Sequence, residues 1–123
     1  MELKPSPILD PGDGLPLTIG ALSRERVRQH RERVLLACDD IRLSYGEAEN
    51  RSKLLARALL ASGVTKGANV GLLFPNGVDF LISVLAVTRI GAVVVPLSTL
   101  STSDELRWLL ENSDITHLLA APR

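Results

Sequence analysis

The sequence has few of the residues that mark a metal site, a disulfide-stapled fold or a nucleic-acid-binding surface. Cys38 is the only cysteine in 123 residues, which excludes an intramolecular disulfide and gives no sign of an oxidising compartment. His30 and His117 lack cysteine or acidic neighbours at ligand spacing, so we expect no metal site. Fourteen basic residues balance fourteen acidic ones, and we therefore expect no nucleic-acid partner.

Aromatic residues and long uninterrupted apolar runs are also scarce. Aromatic side chains make up 3% of a chain that is 46% hydrophobic, so the core must be aliphatic. The apolar stretch 80–97 is interrupted by Arg89 and Gly91, and its second half is β-branched, which argues against a transmembrane segment. The first residues lack the apolar region of a signal peptide, and we expect a cytoplasmic protein.

The amino-terminal part of the chain divides into an irregular leader and a charged helix. Residues 1–17 contain four prolines and show no hydrophobic periodicity, which predicts a leader without regular structure ahead of one domain, 18–123. Thr18 is placed to cap a helix in which Leu22 and Val27 make the apolar contacts. Residues 24–33 hold five arginines and two glutamates; a solvated face is favoured because the glutamates interleave, and a patch for an acidic partner is the alternative.

A β-hairpin and a second helix are predicted next. Apolar runs at 34–37 and 41–44 flank the turn-forming pair at 39–40, a pattern typical of a small hairpin. Ser44 and Glu47 have the spacing of a capping box, and Gly63 marks the end of the helix that follows. Four residues are expected to share its buried face: Leu54, Leu55, Ala58 and Leu59.

From residue 69 onward, strand and helix patterns alternate, which predicts an α/β fold with a mostly parallel, helix-covered sheet. The helix at 78–90 is apolar on nearly every side, so we expect it to be buried on more than one side. The β-branched run at 92–95 is typical of a parallel strand covered on both faces. The remaining elements are a strand at 69–74, a helix with a stripe of Leu106, Leu109 and Leu110 ending near Asn112, and a strand at 116–120.

No residue pattern by itself identifies an active site. The sequence contains neither a dinucleotide-binding glycine motif nor a P-loop. The hydroxyl-rich segment 98–103 precedes a helix, where an anion can meet free N–H groups, but it has no glycine or lysine, so a connector ending in an N-cap is favoured. The turn at 75–77 follows a strand end, where ligands of α/β sheets bind; a turn that only starts the next helix is favoured.

Three segments, in this order and spacing, resemble the opening of the adenylate-forming superfamily, which includes acyl-CoA synthetases, fatty acyl-AMP ligases, peptide-synthetase adenylation domains and luciferases. The resemblance covers roughly residues 18–121, and each segment alone is short. The segments are Arg42-Leu43-Ser44-Tyr45-Gly46-Glu47 with the helix after it, Val70-Gly71-Leu72-Leu73-Phe74-Pro75-Asn76, and Gly91-Ala92-Val93-Val94-Val95-Pro96-Leu97 followed by Asp104-Glu105-Leu106.

The resemblance implies a ligase reaction. Such enzymes join a carboxylic acid, here expected to be a fatty acid, to ATP with Mg²⁺ and pass the acyl group from acyl-AMP to the thiol of CoA or of a carrier protein. The family's phosphate loop, adenine and ribose motifs and catalytic lysine lie downstream of the matching region, and this sequence ends at Arg123 before reaching them. We therefore expect an incomplete, inactive amino-terminal portion with no catalytic residue and no cofactor of its own.

One binding role is carried over by resemblance. In some acyl-CoA synthetases a glycine-containing segment after the Gly-Ala-Val strand contacts the nucleotide of CoA. Here Ser98 and Thr99 occupy that place without a glycine, and they are the candidate cofactor-binding residues.

Two other interpretations stay open. A non-catalytic module of this fold could bind a nucleotide, CoA or a protein, and an unrelated doubly wound domain such as a signalling receiver has the same alternation. A receiver needs clustered acidic residues at strand ends, and Asp39-Asp40 is the only acidic pair close to one. In the ligase interpretation, we expect the apolar helix at 78–90 to leave an exposed patch through which the chain self-associates.

Overall fold

The computed structural model describes residues 18–122, so the predicted leader at 1–17 lies outside the described residues. The elements in this part of the chain follow the predicted order. They are α1 (Ile19–His30), β1 (Val34–Cys38), β2 (Ile41–Ser44), α2 (Tyr45–Ala61), β3 (Asn69–Leu73), α3 (Val78–Arg89), β4 (Val93–Pro96), α4 (Ser103–Asn112) and β5 (Ile115–Ala120).

The strands form a hairpin and a separate parallel sheet. Strands β1 and β2 pair antiparallel, with Cys38 opposite Ile41 at the turn. Strands β4, β3 and β5 lie in that order and all pair in parallel, so that Gly71 of β3 stands opposite Val95 on one side and Leu118 on the other. The predicted α/β fold with a mostly parallel sheet and a small hairpin is confirmed.

Local hydrogen bonds start the helices where the sequence predicts them. The Ser44 hydroxyl accepts from the Glu47 N–H at 3.1 Å, and the Glu47 carboxylate accepts from the Ser44 N–H at 2.8 Å, which completes the capping box of α2. Thr102 and Glu105 form the same arrangement at α4. Thr18 caps α1 by accepting from the Ala21 N–H at 3.2 Å. Each cap satisfies backbone donors that a helix start leaves unpaired.

The main core lies between one face of the parallel sheet and helices α2 and α3. Val70 and Leu72 of β3 are 0% exposed and pack against Ala86 and Val87 of α3. Complete burial of a valine or leucine side chain contributes about 1.5–3 kcal/mol relative to exposure. This contact fixes α3 on the sheet. The core is aliphatic, as the composition predicts.

The buried face of α2 differs from the predicted one. Leu54 is 66% exposed and Ala58 is also exposed, so the prediction that they share the core face is wrong. Small side chains line most of the true face, and because they are short the neighbouring helix can approach closely. The buried residues of α2 are Gly46, Ala48, Glu49, Ser52, Ala56 and Leu59.

The expectation that α3 leaves an exposed apolar patch is also wrong. Helices α1 and α2 and strands β3 and β4 all contact α3. Its one exposed residue is the polar Asp79, and Ile82, Ser83, Ala86 and Val87 are buried. The prediction that α3 is buried on more than one side is confirmed, because α1, α2, β3 and β4 together cover it.

Strand β4 is only partly covered, contrary to the expectation for its β-branched run. It lies at an edge of the sheet, and Val93 is 46% exposed while Val94 packs against the main core. Alternate residues of a strand point to opposite faces, so the difference between these neighbours shows that, at this edge, the face carrying Val93 is less covered than the face carrying Val94.

The apolar stretch 80–97 is divided between α3, a turn and β4. Gly91 forms the turn with φ +74°, a conformation that glycine adopts without strain. Within residues 18–122, no helix has both the length and the hydropathy needed to cross a membrane.

A buried carboxylate ties α2 to α3. The Glu49 side chain is 7% exposed and accepts hydrogen bonds from Lys53 Nζ at 3.0 Å and from the Arg89 guanidinium across the helix pair. Burial acts to raise the pKa of the Glu49 carboxyl, but the bonds from Lys53 and Arg89 outweigh it and hold that pKa below its usual value. The charged form of Glu49 is therefore stabilised by folding.

Replacing Glu49 by glutamine should destabilise the fold by about 3 kcal/mol, because the variant leaves the Arg89 charge buried without its carboxylate. Urea unfolding followed by circular dichroism measures the change. Glu25→Gln is the matched control, since its partner Arg28 is 71% exposed, and its unfolding midpoint should stay close to that of the wild type. Equal midpoints for the Glu49→Gln variant and the wild type would refute the role of the pair.

The same carboxylate predicts how stability depends on pH. Because the folded-state pKa of Glu49 is lowered, its contribution is complete above the unfolded-state pKa of about 4.3 and is lost as the pH falls through the folded-state value. The free energy of unfolding of the wild type should therefore fall more steeply with acid than that of Glu49→Gln. Parallel curves for the two proteins below about pH 5 would contradict this.

Candidate functional site

The carboxyl edge of the parallel sheet is the candidate site. From the central strand β3, the chain passes first to β4 on one side and then to β5 on the other. Two backbone hydrogen bonds hold the loops that follow β4 and β5 against the end of β3. The Leu97 N–H donates to the Leu72 C=O at 2.9 Å, and the Ala121 N–H donates to the Leu73 C=O at 3.1 Å. Such an edge, where successive connections leave in opposite directions, is where ligands of open α/β sheets bind.

Two cavities at this edge share Pro75 and Ala121, and the larger of these two has a volume of about 330 Å³ and lies between the hairpin and the loop after β3. Arg51 Nη2 donates to Asp79 Oδ1 at 3.0 Å on its rim, and both side chains are substantially exposed. A Cβ added at Gly77 would lie 4.0 Å from Cys38 Sγ, which shows how closely the hairpin approaches the loop. The cavity is lined by Cys38, Ile41, Arg51, Phe74, Pro75, Asn76, Gly77, Val78, Asp79 and Ala121.

Gly77 gives this loop its shape. Its φ of +155° and ψ of −165° lie in a region that is essentially restricted to glycine. The residue precedes Val78, where α3 begins without a side-chain cap. Residues 76–77 bend the chain immediately before α3, as expected for a segment that starts that helix, and 75–77 also form part of the cavity wall.

A second cavity of about 240 Å³ shares Pro75 and Ala121 with the first and contains the predicted residue Thr99. Three hydroxyl side chains and several apolar ones surround it. The lining residues are Leu73, Pro75, Thr99, Ser101, Ser103, Leu106, Ala121 and Pro122. This mixture suits a ligand with an apolar body and a few polar groups.

The two predicted cofactor-binding residues have different surroundings. Thr99 lines the smaller cavity, whereas the Ser98 hydroxyl accepts a hydrogen bond from the Leu100 N–H at 3.2 Å and so shapes the loop. Beyond them, the capping box of Thr102 and Glu105 engages backbone donors at the start of α4, and Asp104 adds a second negative charge there. These features favour the predicted connector over an anion site at that helix end.

The lysines of the described residues lie outside both cavities at the carboxyl edge. Of the two lysines between residues 18 and 122, Lys53 is paired with Glu49, and the Lys66 side chain lies beside Gly91 near the amino end of β4. In the same range, no group of three or more His, Cys, Asp or Glu side chains is placed to hold a metal ion. The residues present therefore provide cavity walls and loop shape, and we derive no chemical step from them.

Sequence reasoning missed the cluster of Cys38, Arg51 and Asp79 around the larger cavity. These residues come from the hairpin turn, the polar side of α2 and the first turn of α3, and only the folded chain brings them together. The turn at 75–77 was the available signal, since it predicts a loop at the carboxyl end of β3. Nothing in the sequence pairs Arg51 with a residue 28 positions later.

Comparison with known proteins gives the family. The family described as AMP-binding enzyme matches residues 23–123. A medium/long-chain-fatty-acid–CoA and 3-oxocholest-4-en-26-oate–CoA ligase of Mycobacterium marinum is 32% identical over 103 residues, which cover 84% of this chain and 19% of that protein. Indigoidine synthase of Streptomyces lavendulae is 32% identical over 123 residues, which cover 100% of this chain and 10% of the synthase.

The fold is shared with solved structures of adenylating enzymes. The N-terminal subdomain of Klebsiella oxytoca NpsA superposes with a TM-score of 0.78 at 24% identity, over 84% of this chain and 27% of that one. The chain thus spans about a fifth of the ligase it resembles, 19%, and a smaller share of the synthase. The match over residues 23–123 shows that the chain belongs to the AMP-binding enzyme family and covers the start of its adenylate-forming domain.

Proposed function

We propose that this chain is the amino-terminal part of a cytoplasmic, ATP-dependent acid–thiol ligase that activates a carboxylic acid, a fatty acid in the first instance, as acyl-AMP. The acyl group then passes to CoA or to the thiol of a carrier protein. The observation that carries the proposal is the family match over 23–123. The choice of a fatty acid and CoA is supported by the similarity to the medium/long-chain-fatty-acid–CoA ligase of Mycobacterium marinum, which is 32% identical.

The chemistry explains why such an enzyme uses ATP. A carboxylate is a poor electrophile, and joining it to AMP supplies a good leaving group, while Mg²⁺ and basic side chains neutralise phosphate charge. The described residues hold no matching lysine or acidic cluster at the carboxyl edge. We therefore assign the chemical steps to the rest of the enzyme and the positioning of two loops to this chain.

The first test uses the chain alone. An ATP–pyrophosphate exchange assay with fatty acids of several lengths should show no acid-dependent turnover, and calorimetry should show no tight binding of ATP, AMP or CoA. Exchange above background would refute the assignment of chemistry to the rest of the enzyme. Tight binding without turnover would favour the alternative of a non-catalytic module that binds a nucleotide or CoA.

We propose that Thr99 contacts the nucleotide part of CoA and that Ser98 shapes the loop that carries Thr99. Support comes from the place of Thr99 in the smaller cavity and from the Ser98 hydroxyl bond to Leu100. The test requires an active enzyme, and we define the fused ligase as the Mycobacterium marinum ligase in which residues 18–123 of this chain replace the matched region.

In the fused ligase, Thr99→Val should raise the KM for CoA about fivefold, the effect of losing one uncharged hydrogen bond, and leave the KM for ATP unchanged. Leu100→Ala is the control, because that side chain is 92% exposed in the same loop and the substitution keeps the Leu100 N–H that donates to Ser98. Steady-state kinetics with each substrate varied in turn separate the two constants. An unchanged KM for CoA, or an equal rise in the KM values for CoA and ATP, would contradict a contact between Thr99 and CoA.

A further inference from the structure

An apolar groove lies between helix α1 and the elements on which it packs. It has a volume of about 290 Å³, and its walls come from α1, β1, α2 and α3. Helix α1 contacts α2 and α3, but only Gly20 and Val27 of α1 are buried, so the helix leaves space beside them. We call this cavity the α1 groove. Its apolar lining includes Leu22, Val27, Leu35, Ala48, Leu81 and Leu85.

The α1 groove is separate from the candidate site at the carboxyl edge. It shares no lining residue with either of the two cavities there. Its four leucines are half-buried and Ile19 is 55% exposed, so apolar surface faces the groove. Covering that surface with an apolar ligand is favourable, because the removal of apolar area from water drives most association in proteins.

The groove also contains a few polar groups that suit the head of a small ligand. Among the described residues that line it, Arg26 is the only charged one, and Ser23 and Tyr45 add two hydroxyl groups. An apolar cavity with a small number of polar groups is the usual form of a small-molecule site. The volume of about 290 Å³ lies at the lower end of the range for such sites, roughly 300–1,000 Å³, so the ligand must be much smaller than CoA.

The charge of Arg26 is not neutralised by a carboxylate in the described part of the chain. The ion pairs found between residues 18 and 122 do not include Arg26. Its neighbour Glu25 accepts hydrogen bonds from Arg28 and Gln29 instead. Arg26 Nη1 donates to Gln29 Oε1 at 3.3 Å, which leaves further N–H donors on the guanidinium. An anionic group therefore suits this position.

The single cation decides which anion fits. A guanidinium pairs with a carboxylate through two parallel hydrogen bonds, and the two charges cancel. A phosphate monoester carries nearly two negative charges at neutral pH, and the described lining offers one positive side chain. The leucine walls call for an aliphatic chain behind the head group, and the volume restricts that chain to a moderate length.

We propose that the α1 groove binds a medium-chain aliphatic carboxylate, with the carboxylate on Arg26 and the alkyl chain against Leu22, Leu81 and Leu85. This is a second site for the class of acid that the proposed ligase activates, and it lies apart from the carboxyl edge. Binding is measured on this chain without ATP, so a failure of the proposed function leaves the test of the groove intact.

Titration of the full chain with octanoate, followed by amide chemical shifts in NMR spectra, tests the proposal. We expect saturable shifts in α1 and at Leu81 and Leu85, and none in α4, which lies outside the groove. From hexanoate to octanoate the Kd should fall about tenfold, because two more methylenes leave water. The absence of saturable shifts in the groove, or shifts confined to α4, would overturn the proposal.

Octylamine tests the head group, because it has an alkyl chain of the same length and the opposite charge. It should give no saturable shifts at the same residues, since its ammonium group is repelled by Arg26. Octylamine that binds as tightly as octanoate would show that the groove accepts any alkyl chain, and it would overturn the proposal.

Substitution of Arg26 separates its contact from the general positive charge of α1. Arg26→Gln should raise the Kd for octanoate at least about tenfold, as expected for the loss of a hydrogen bond to a charged group. Arg28→Gln is the matched control, because Arg28 lies on the same helix, is 71% exposed and does not line the groove. Equal effects of the two substitutions would contradict a contact between Arg26 and the carboxylate.

Filling the groove provides a second test. Ser23→Phe places an aromatic ring in the cavity and should abolish octanoate binding while the circular dichroism spectrum stays unchanged. Octanoate binding that survives in the folded variant would overturn the proposal. A wild-type chain that is dimeric by light scattering and that Ser23→Phe makes monomeric would assign the groove to a second copy, and this would also overturn it. If the variant does not fold, the comparison of octanoate with octylamine on the wild type decides the question.

Discussion

Strand β3 is the constraint on which the rest of the structure depends. It is hydrogen-bonded in parallel to β4 and β5, and its Val70 and Leu72 side chains are completely buried against α2 and α3. The carbonyls of Leu72 and Leu73 also accept hydrogen bonds from the first residues of the loops that follow β4 and β5. Strand β3 therefore supports the core through its side chains and the candidate site through the carbonyls near its carboxyl end. A change in its register would alter both.

Local features of the fold could be predicted from the sequence, whereas long-range cover could not. The capping boxes at Ser44 and Thr102 depend on residues three positions apart, so their spacing is sufficient to predict them. The exposure of Leu54 and the burial of Glu49 depend on Arg89 and on how α3 crosses α2, which no local pattern encodes. The apolar surface of α3 was predicted, but its cover by α1 was not.

In the candidate site, too, local features could be predicted from the sequence and long-range contacts could not. The turn before α3 and the hydroxyl-rich loop could be placed at the carboxyl edge because strand ends in a parallel sheet meet there. Thr99 lies at a cavity on that edge, while Cys38, Arg51 and Asp79 meet around the neighbouring cavity without a shared sequence signal. Their meeting results from the hairpin packing beside α2, which is a tertiary contact. The family, in contrast, follows from ordered similarity along residues 23–123.

The central claim is that this chain supplies the scaffold at the start of an adenylate-forming domain and leaves the chemistry to the remainder. Acid-dependent ATP–pyrophosphate exchange by the fused ligase tests this most directly, since all chemical groups there come from the Mycobacterium marinum protein. We expect exchange with fatty acids that is abolished when residues 18–123 are deleted. A fused ligase that folds and binds ATP yet shows no exchange would contradict the account.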